Sequence, residues 1–214
     1  MISPTRDVPD PADSGPDPEL RLSSCEEPLS WSALFANANP VEVELGCGKG
    51  RFIISSARGN PDVNYFGIEK SKKFFRLIKQ RVAKKGLPNI RLLQGEAAYF
   101  IGKYMPEQSV RAFHIYFPDP WPKKRHHKRR LVNNGFLQTL AVTLGCRGRI
   151  FVATDFEDYF HQIVAAARRC QELGEVSVQT IQPPDADPEA AATNYERKYL
   201  LLGRPIYKAL YEKA

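Results

Sequence analysis

No run of eighteen apolar residues occurs in the 214 residues of the chain, which excludes a membrane-spanning helix. The amino terminus has no basic stretch leading into an apolar one, so a secretory leader is not expected either. Cysteine is scarce. The four residues Cys25, Cys47, Cys146 and Cys170 never approach Cys-x-x-Cys spacing, so neither a disulfide framework nor a zinc knuckle is indicated. Internal repeats are absent. What is present is 43% hydrophobic and 26% charged residues, enough for an ordinary core and of a length that fits one domain plus a tail. A reducing, cytoplasmic setting is expected.

Charge is unevenly placed. Residues 1–30 hold seven acidic side chains against two basic ones, and six of the seventeen prolines, for a net −5. This segment is expected to be a flexible Pro-rich acidic tail with no catalytic role. Residues 31–214 then form the functional domain with a net +12. Six cations fall within the eight residues Lys123–Arg130, Lys-Lys-Arg-His-His-Lys-Arg-Arg. A cluster that dense points to an anionic partner, most often nucleic acid; a solvated loop or a sorting signal is the bland alternative. His126 and His127 lack the spaced Cys, His or carboxylate partners of a metal site, so no metal is expected.

From Pro40 onward short apolar runs alternate with segments of helical period. Strands are predicted at 41–45, 63–68, 90–93, 111–117, 149–154, 176–181 and 206–211, and helices near 50–58, 71–85, 96–104, 132–144 and 156–173. In the second helix Phe74, Ile78 and Val82 are predicted to share one buried stripe. Alternation of this kind predicts an α/β fold with a parallel sheet covered on both faces. Ligands of such sheets bind beyond the carboxyl ends of the strands, where the strand order reverses.

Residues 41–50, Val-Glu-Val-Glu-Leu-Gly-Cys-Gly-Lys-Gly, read as a strand, a glycine turn and the start of a helix. Gly46, Gly48 and Gly50 let backbone pass close beneath a ligand, and the helix amides point at it. Arg51 breaks the Gly-x-Gly-x-x-Gly dinucleotide fingerprint, which disfavours a nicotinamide oxidoreductase. Glu44 suits a ligand carrying an ammonium and a sulfonium and repels a pyrophosphate. Glu69, 23 residues after Gly46, can accept both ribose hydroxyls. Glu96, after the third strand, can cap the next helix or reach an adenine. Together these features resemble the class I S-adenosylmethionine-dependent methyltransferases. Cys47 has no base partner, so it is not read as a nucleophile, and His114 and His161 are read as packing residues.

The fourth strand closes in Phe117-Pro118-Asp119-Pro120-Trp121. Proline fixes φ, so Asp119 is held stiffly at the strand end, followed at once by the cationic run. Lys124, Arg125, Lys128, Arg129 and Arg130 are the expected RNA-backbone contacts. This loop with its basic run, the loop Glu44–Gly50, Gly67-Ile68-Glu69, Thr154-Asp155 and Thr193-Asn194-Tyr195-Glu196 with Lys198 closely resemble the bacterial tRNA (guanine-N(7)-)-methyltransferase family over roughly residues 40–214. The resemblance implies a Rossmann-like sheet of seven strands, mostly parallel with the last antiparallel. It also implies S-adenosylmethionine as methyl donor and ring nitrogen 7 of the tRNA variable-loop guanine as acceptor. Position by position it assigns the donor to Glu44, Gly46, Gly48, Glu69, Glu96 and Asp119, with Asp119 also catalytic. By the same likeness Lys123, Asp155, Thr193, Asn194, Tyr195 and Glu196 form the tRNA-contacting set. Glu96 stands where many relatives have Asp or Asn, and Tyr195 where Phe is common. Two rivals stay open on the residues alone: a methyltransferase acting on an exocyclic amine of ribosomal RNA or DNA, and a non-catalytic RNA-binding protein on the same fold.

Overall fold

The structure, a computed structural model, describes residues 17–24, 27–183 and 187–214. Most of the expected tail, including Cys25 and residues 1–16, lies outside the described residues. Among the described residues eight strands form one sheet: β1 (Glu19–Leu20), β2 (Val41–Leu45), β3 (Asn64–Glu69), β4 (Ile90–Gln94), β5 (Val110–Tyr116), β6 (Leu144–Thr154), β7 (Leu173–Ile181) and β8 (Ile206–Lys213). Their order is β1-β4-β3-β2-β5-β6-β8-β7. Pairing is parallel from β1 to β6, and β8 runs antiparallel to both β6 and β7.

The expected count of seven strands is therefore corrected to eight. The additional strand comes from the segment assigned to the tail. Glu19 and Leu20 pair with Leu92 and Leu93, and Lys79 anchors the strand by holding the carboxylates of Asp17 and Glu19. A two-residue strand carries no periodicity, so nothing in the sequence pattern marks it.

Seven α-helices accompany the sheet: α1 (Trp31–Phe35), α2 (Arg51–Gly59), α3 (Lys72–Lys85), α4 (Ala97–Tyr104), α5 (Asn134–Thr143), α6 (Glu157–Ala167) and α7 (Asn194–Leu201). Local chemistry sets their ends. Ser71 caps α3 by accepting from Phe74 N–H, and left-handed Gly86 terminates it. Asn133 caps α5 and Thr193 caps α7. Helices α1, α4, α5 and α6 cover one face of the sheet, over Val43, Phe66, Phe113 and Ile150, all fully buried. Helices α2 and α3 pack on the other face through Ile53, Ala57, Phe75, Ile78 and Val82, with α7 beside them over Ala153. Each fully buried Ile or Phe there contributes about 1.5–3 kcal/mol.

The buried stripe of α3 is Phe75, Ile78 and Val82, not Phe74, Ile78 and Val82. Both spacings lie within one apolar helix face; Phe75 is the one that packs into the core beneath α3, while Phe74 lines the cleft.

The strand order reverses between β2, whose chain leads outward to β3, and its other neighbour β5. Leu45 sits opposite Ile115 in that pairing, so the glycine turn after β2 and the proline loop after β5 flank one crevice. Strand β2 alternates faces. Val41, Val43 and Leu45 join the α1/α4/α5/α6 core, which places Glu42 and Glu44 on the α2/α7 side.

Candidate active site

Gly46, Gly48 and Gly50 all adopt left-handed backbone, with φ of 79°, 52° and 76°. The need for glycine is sharpest at Gly50, where a Cβ would also come within 2.7 Å of the Ile78 side chain. Glu69 ties the turn to the end of β3: one carboxylate oxygen accepts from Gly48 N–H at 2.8 Å and the other from Ser71 N–H at 2.7 Å. Each oxygen keeps a further lone pair, and Glu69 lines the larger cavity while only 7% exposed.

Glu44 is 4% exposed, and its Oε2 has no hydrogen-bond partner among the described residues. Burial pushes its carboxyl up to about 8, with the negative charge of Glu69 adding to the rise against hydrogen bonds that oppose it. A buried acid left unsatisfied at a cavity wall is costly unless something completes it. Cys47 beneath it is inert: its thiol donates to the Glu44 and Ile68 carbonyls, and burial holds it far above the ordinary thiol range.

Two cavities join along this crevice. The smaller, about 300 Å³, is lined by Glu44, the glycine turn, Phe52 and residues 193–195. The larger, about 890 Å³, runs past Glu69 and Glu96 to Asp119, Trp121 and Arg129. Gly46, Gly48, Phe74, Tyr116 and Tyr195 line both. The structure thus brings Glu44, Gly46, Gly48, Glu69, Glu96 and Asp119 to one continuous cleft.

Glu96 does occupy the N-cap position of α4, yet its side chain makes no capping bond and pairs instead with Lys70. Asp119 is exposed at the tip of the proline loop. The residues on either side of Pro118-Asp119-Pro120, Phe117 and Trp121, are held left-handed at φ 53° and 44°. Non-glycine residues in that region store about 1–3 kcal/mol each. Phe117 N–H continues the ladder to the Ala153 carbonyl, fixing the base of the loop.

The cationic run coils into a 3-10 helix, Lys124–Arg129. Lys123, Lys124, Arg125, Lys128 and Arg129 are exposed, and the Arg129 guanidinium lies 5.0 Å from the Trp121 ring. Arg130 corrects the expectation made for it. It is 2% exposed and faces inward, donating to the Pro120 carbonyl at 2.8 Å, Gln162 at 2.7 Å and Asp158 at 2.6 Å. It also packs over the Tyr159 ring. It pins the proline loop to α6 and offers no donor to an RNA backbone.

The C-terminal motif divides in the same way. Thr193 and Glu196 are buried: the Thr193 hydroxyl accepts from Glu196 N–H, while Glu196 accepts from Ala192 N–H and pairs with Lys208, a capping arrangement. Thr193 also reaches the wall of the smaller cavity with Asn194 and Tyr195. Tyr195 is exposed and stacks against Phe117, with centroids 6.0 Å apart. Lys123, Asp155 and Glu196 line neither cavity; Asp155 pairs with Arg204.

Several lining residues were not singled out from sequence: Phe52, Lys70 and Tyr116. Tyr116 is oriented by a buried relay. Its hydroxyl bonds His114 Nδ1 at 3.0 Å, and His114 Nε2 bonds the Glu42 carboxylate at 2.9 Å. His114 does pack as expected, flat against Phe151, while also linking two strands. The available signal was spacing: Glu42 and Glu44, like His114 and Tyr116, are two apart and so share one sheet face.

A doubly wound sheet with its glycine turn, strand-end acids and crevice at the reversal point defines a Rossmann-like methyltransferase. Solved structures agree on the fold. The chain superposes on the 16S rRNA methyltransferase KamB with a TM-score of 0.64 at 15% identity, covering 86% of this chain and 92% of that one. It superposes on an antibiotic-related methyltransferase with a TM-score of 0.60 at 17% identity, covering 85% and 92%. Residues 38–209 match a family described as "Putative methyltransferase". The tRNA (guanine-N(7)-)-methyltransferase of Oceanobacillus iheyensis is 35% identical over 189 residues, 86% of each chain. That of Streptococcus suis is 36% identical over 89% of this chain and 90% of its own. That of Geobacter metallireducens is 44% identical over 65% of this chain and 66% of its own. The chain belongs to the tRNA (guanine-N(7)-)-methyltransferase family.

Proposed function

We propose that the chain transfers the methyl group of S-adenosylmethionine to ring nitrogen 7 of the variable-loop guanine of tRNA, in the cytoplasm. The observation that carries this reading is the single cleft running from the unsatisfied Glu44 carboxyl to Asp119 and the exposed cationic helix. The residues fit the donor. A buried acid with one oxygen left unpartnered suits an ammonium, Glu69 retains lone pairs for ribose hydroxyls, and the glycine turn has room for a ligand. When bound, S-adenosylmethionine supplies an electrophilic sulfonium methyl.

Nitrogen 7 of guanine has an in-plane lone pair and no proton, so no general base is required. The protein's part is positioning, which supplies up to roughly 7–11 kcal/mol in favourable cases. Asp119, rigid between two prolines, faces the ring that becomes cationic and lowers the energy of that charge. Turning the guanine out of the tRNA core costs a few kcal/mol, and Phe117, Trp121 and Tyr195 offer stacking surfaces to receive it. The exposed cations Lys124, Arg125, Lys128 and Arg129 hold phosphates.

Incubation of unmodified tRNA with methyl-labelled donor, followed by chemical cleavage at 7-methylguanosine, tests this directly. Label at a single variable-loop 7-methylguanosine is the expected result. Label on an exocyclic amine, or none, refutes it.

A further inference from the structure

Beside the smaller cavity lies a groove of about 650 Å³ between α2 and α3, lined by Lys49, Arg51, Arg58, Arg81 and Lys85 and, among the described residues, by no carboxylate. It shares Lys49, Arg51 and Asn194 with that cavity. The cationic helix Lys124–Arg129 borders the larger cavity instead, so two basic surfaces lie at opposite ends of the joined cleft.

The sequences of the two helices are unusual. Neither α2 nor α3 contains a single acidic residue, and α3 holds seven cations in fourteen positions. Lys72 and Arg76, and Arg81 and Lys85, are like-charged pairs at i,i+4, each unfavourable by about 0.2–0.5 kcal/mol. Lys72 and Lys73 sit at the positive end of the α3 dipole, a further cost. Arg58, Lys84 and Lys85 do satisfy the dipoles at their own helix ends, and Lys79 is paired with Asp17 and Glu19, but neither accounts for Lys72, Lys73, Arg76 or Arg81. Elsewhere cations are neutralised, as Arg147 and Arg149 are by Glu212. In the groove, Arg51 donates to the Ala191 and Glu189 carbonyls and Arg81 to that of Lys49; the Glu189 carboxylate, itself paired with Arg197, offsets part of the charge of Arg51, while Arg58 and Lys85 lie exposed.

We infer that this α2–α3 groove is a second binding surface for the RNA phosphate backbone, carrying a stretch of tRNA that leaves the cleft on the side away from Lys124–Arg129. The inference rests on tRNA being the substrate. Its test is tRNA affinity measured over a salt series for the wild type and for Arg58→Ala/Lys85→Ala, two exposed residues outside both cleft cavities. Losing two phosphate contacts should flatten the slope of log affinity against log salt by about 1.4–1.8, with S-adenosylmethionine affinity unchanged and the thermal midpoint lowered only as far as the lost helix-end charges require. Arg168→Ala/Arg169→Ala, at the far end of α6, removes the same formal charge and should change the slope by less than half as much. A wild-type slope in Arg58→Ala/Lys85→Ala, or an equal loss in both variants, overturns the groove. Failure of the wild type to form 7-methylguanosine would overturn the substrate reading instead, and the two results are read separately.

Discussion

Placing the donor's cation on Glu44, as proposed, makes donor binding a proton-coupled step. Its carboxyl is raised from 4.5 to about 8 by burial and by Glu69, so in the ligand-free protein it is largely protonated at neutral pH. A cationic ligand completed by this group needs the carboxylate. Below pH 8 it therefore displaces one proton, at about 1.4 kcal/mol per pH unit. Donor affinity should rise close to tenfold between pH 6 and pH 7, with nearly one proton released per donor bound at pH 6.5. Titration calorimetry in two buffers of different ionisation enthalpy measures both. The same shift fixes the sign of the stability effect. A carboxyl raised on folding contributes stability that is fully present below pH 4.5 and is lost as pH rises through 8, amounting to on the order of 5 kcal/mol at most. The ligand-free melting temperature should accordingly fall across that window, and Glu44→Gln should flatten both profiles. Donor affinity that stays constant from pH 6 to 7.5 in the wild type, with no proton released, would refute the assignment of Glu44 to the donor cation.

Arg130→Ala should destabilise by about 3 kcal/mol in urea unfolding, because three hydrogen bonds from a buried cation are lost. Lys124→Ala, six residues earlier and exposed, should stay within about 0.5 kcal/mol while flattening the salt dependence of tRNA binding. Asp119→Ala should leave the melting temperature unchanged and slow single-turnover methyl transfer on the order of a hundredfold; a rate within a few-fold of wild type would refute its role. Gly50→Ala should cost about 1–3 kcal/mol through its left-handed backbone and the Ile78 contact, and should weaken donor binding in calorimetry.

The parts of this molecule that were legible from sequence are those written in short-range chemistry. The alternation of Val41–Leu45, the three glycines, the strand-end position of Glu69 and the proline-locked Asp119 each need only a few neighbouring residues to be read. What escaped depends on partners distant in the chain. The six cations of Lys123–Arg130 look alike in sequence; Asp158 and Gln162, about 30 residues on, are what turn Arg130 inward. Phe74 and Phe75 are interchangeable by period, and only the packing of α3 against β3 and β4, which seats Phe75 and leaves Phe74 at the cavities, separates them. Asp155 follows β6 directly yet lines neither cavity, and it is engaged by Arg204 from the turn before β8.

The contrast between Glu42 and Glu44 states the same point in energetic terms. Both acids lie on β2, face the same side, and are flanked by the same apolar strands. Central parallel strands are usually apolar on both faces, so each carboxylate is a cost that something must offset. For Glu42 the offset is internal, since His114 on the adjacent strand donates to it and Arg111 lies 3.6 Å away. Glu44 has no such partner for its Oε2 and instead borders a cavity. Of the two acids, the one with an oxygen left unpartnered among the described residues is the one proposed to receive the donor's cation. That group lies beside the glycine turn, where the reversal of strand order opens the sheet.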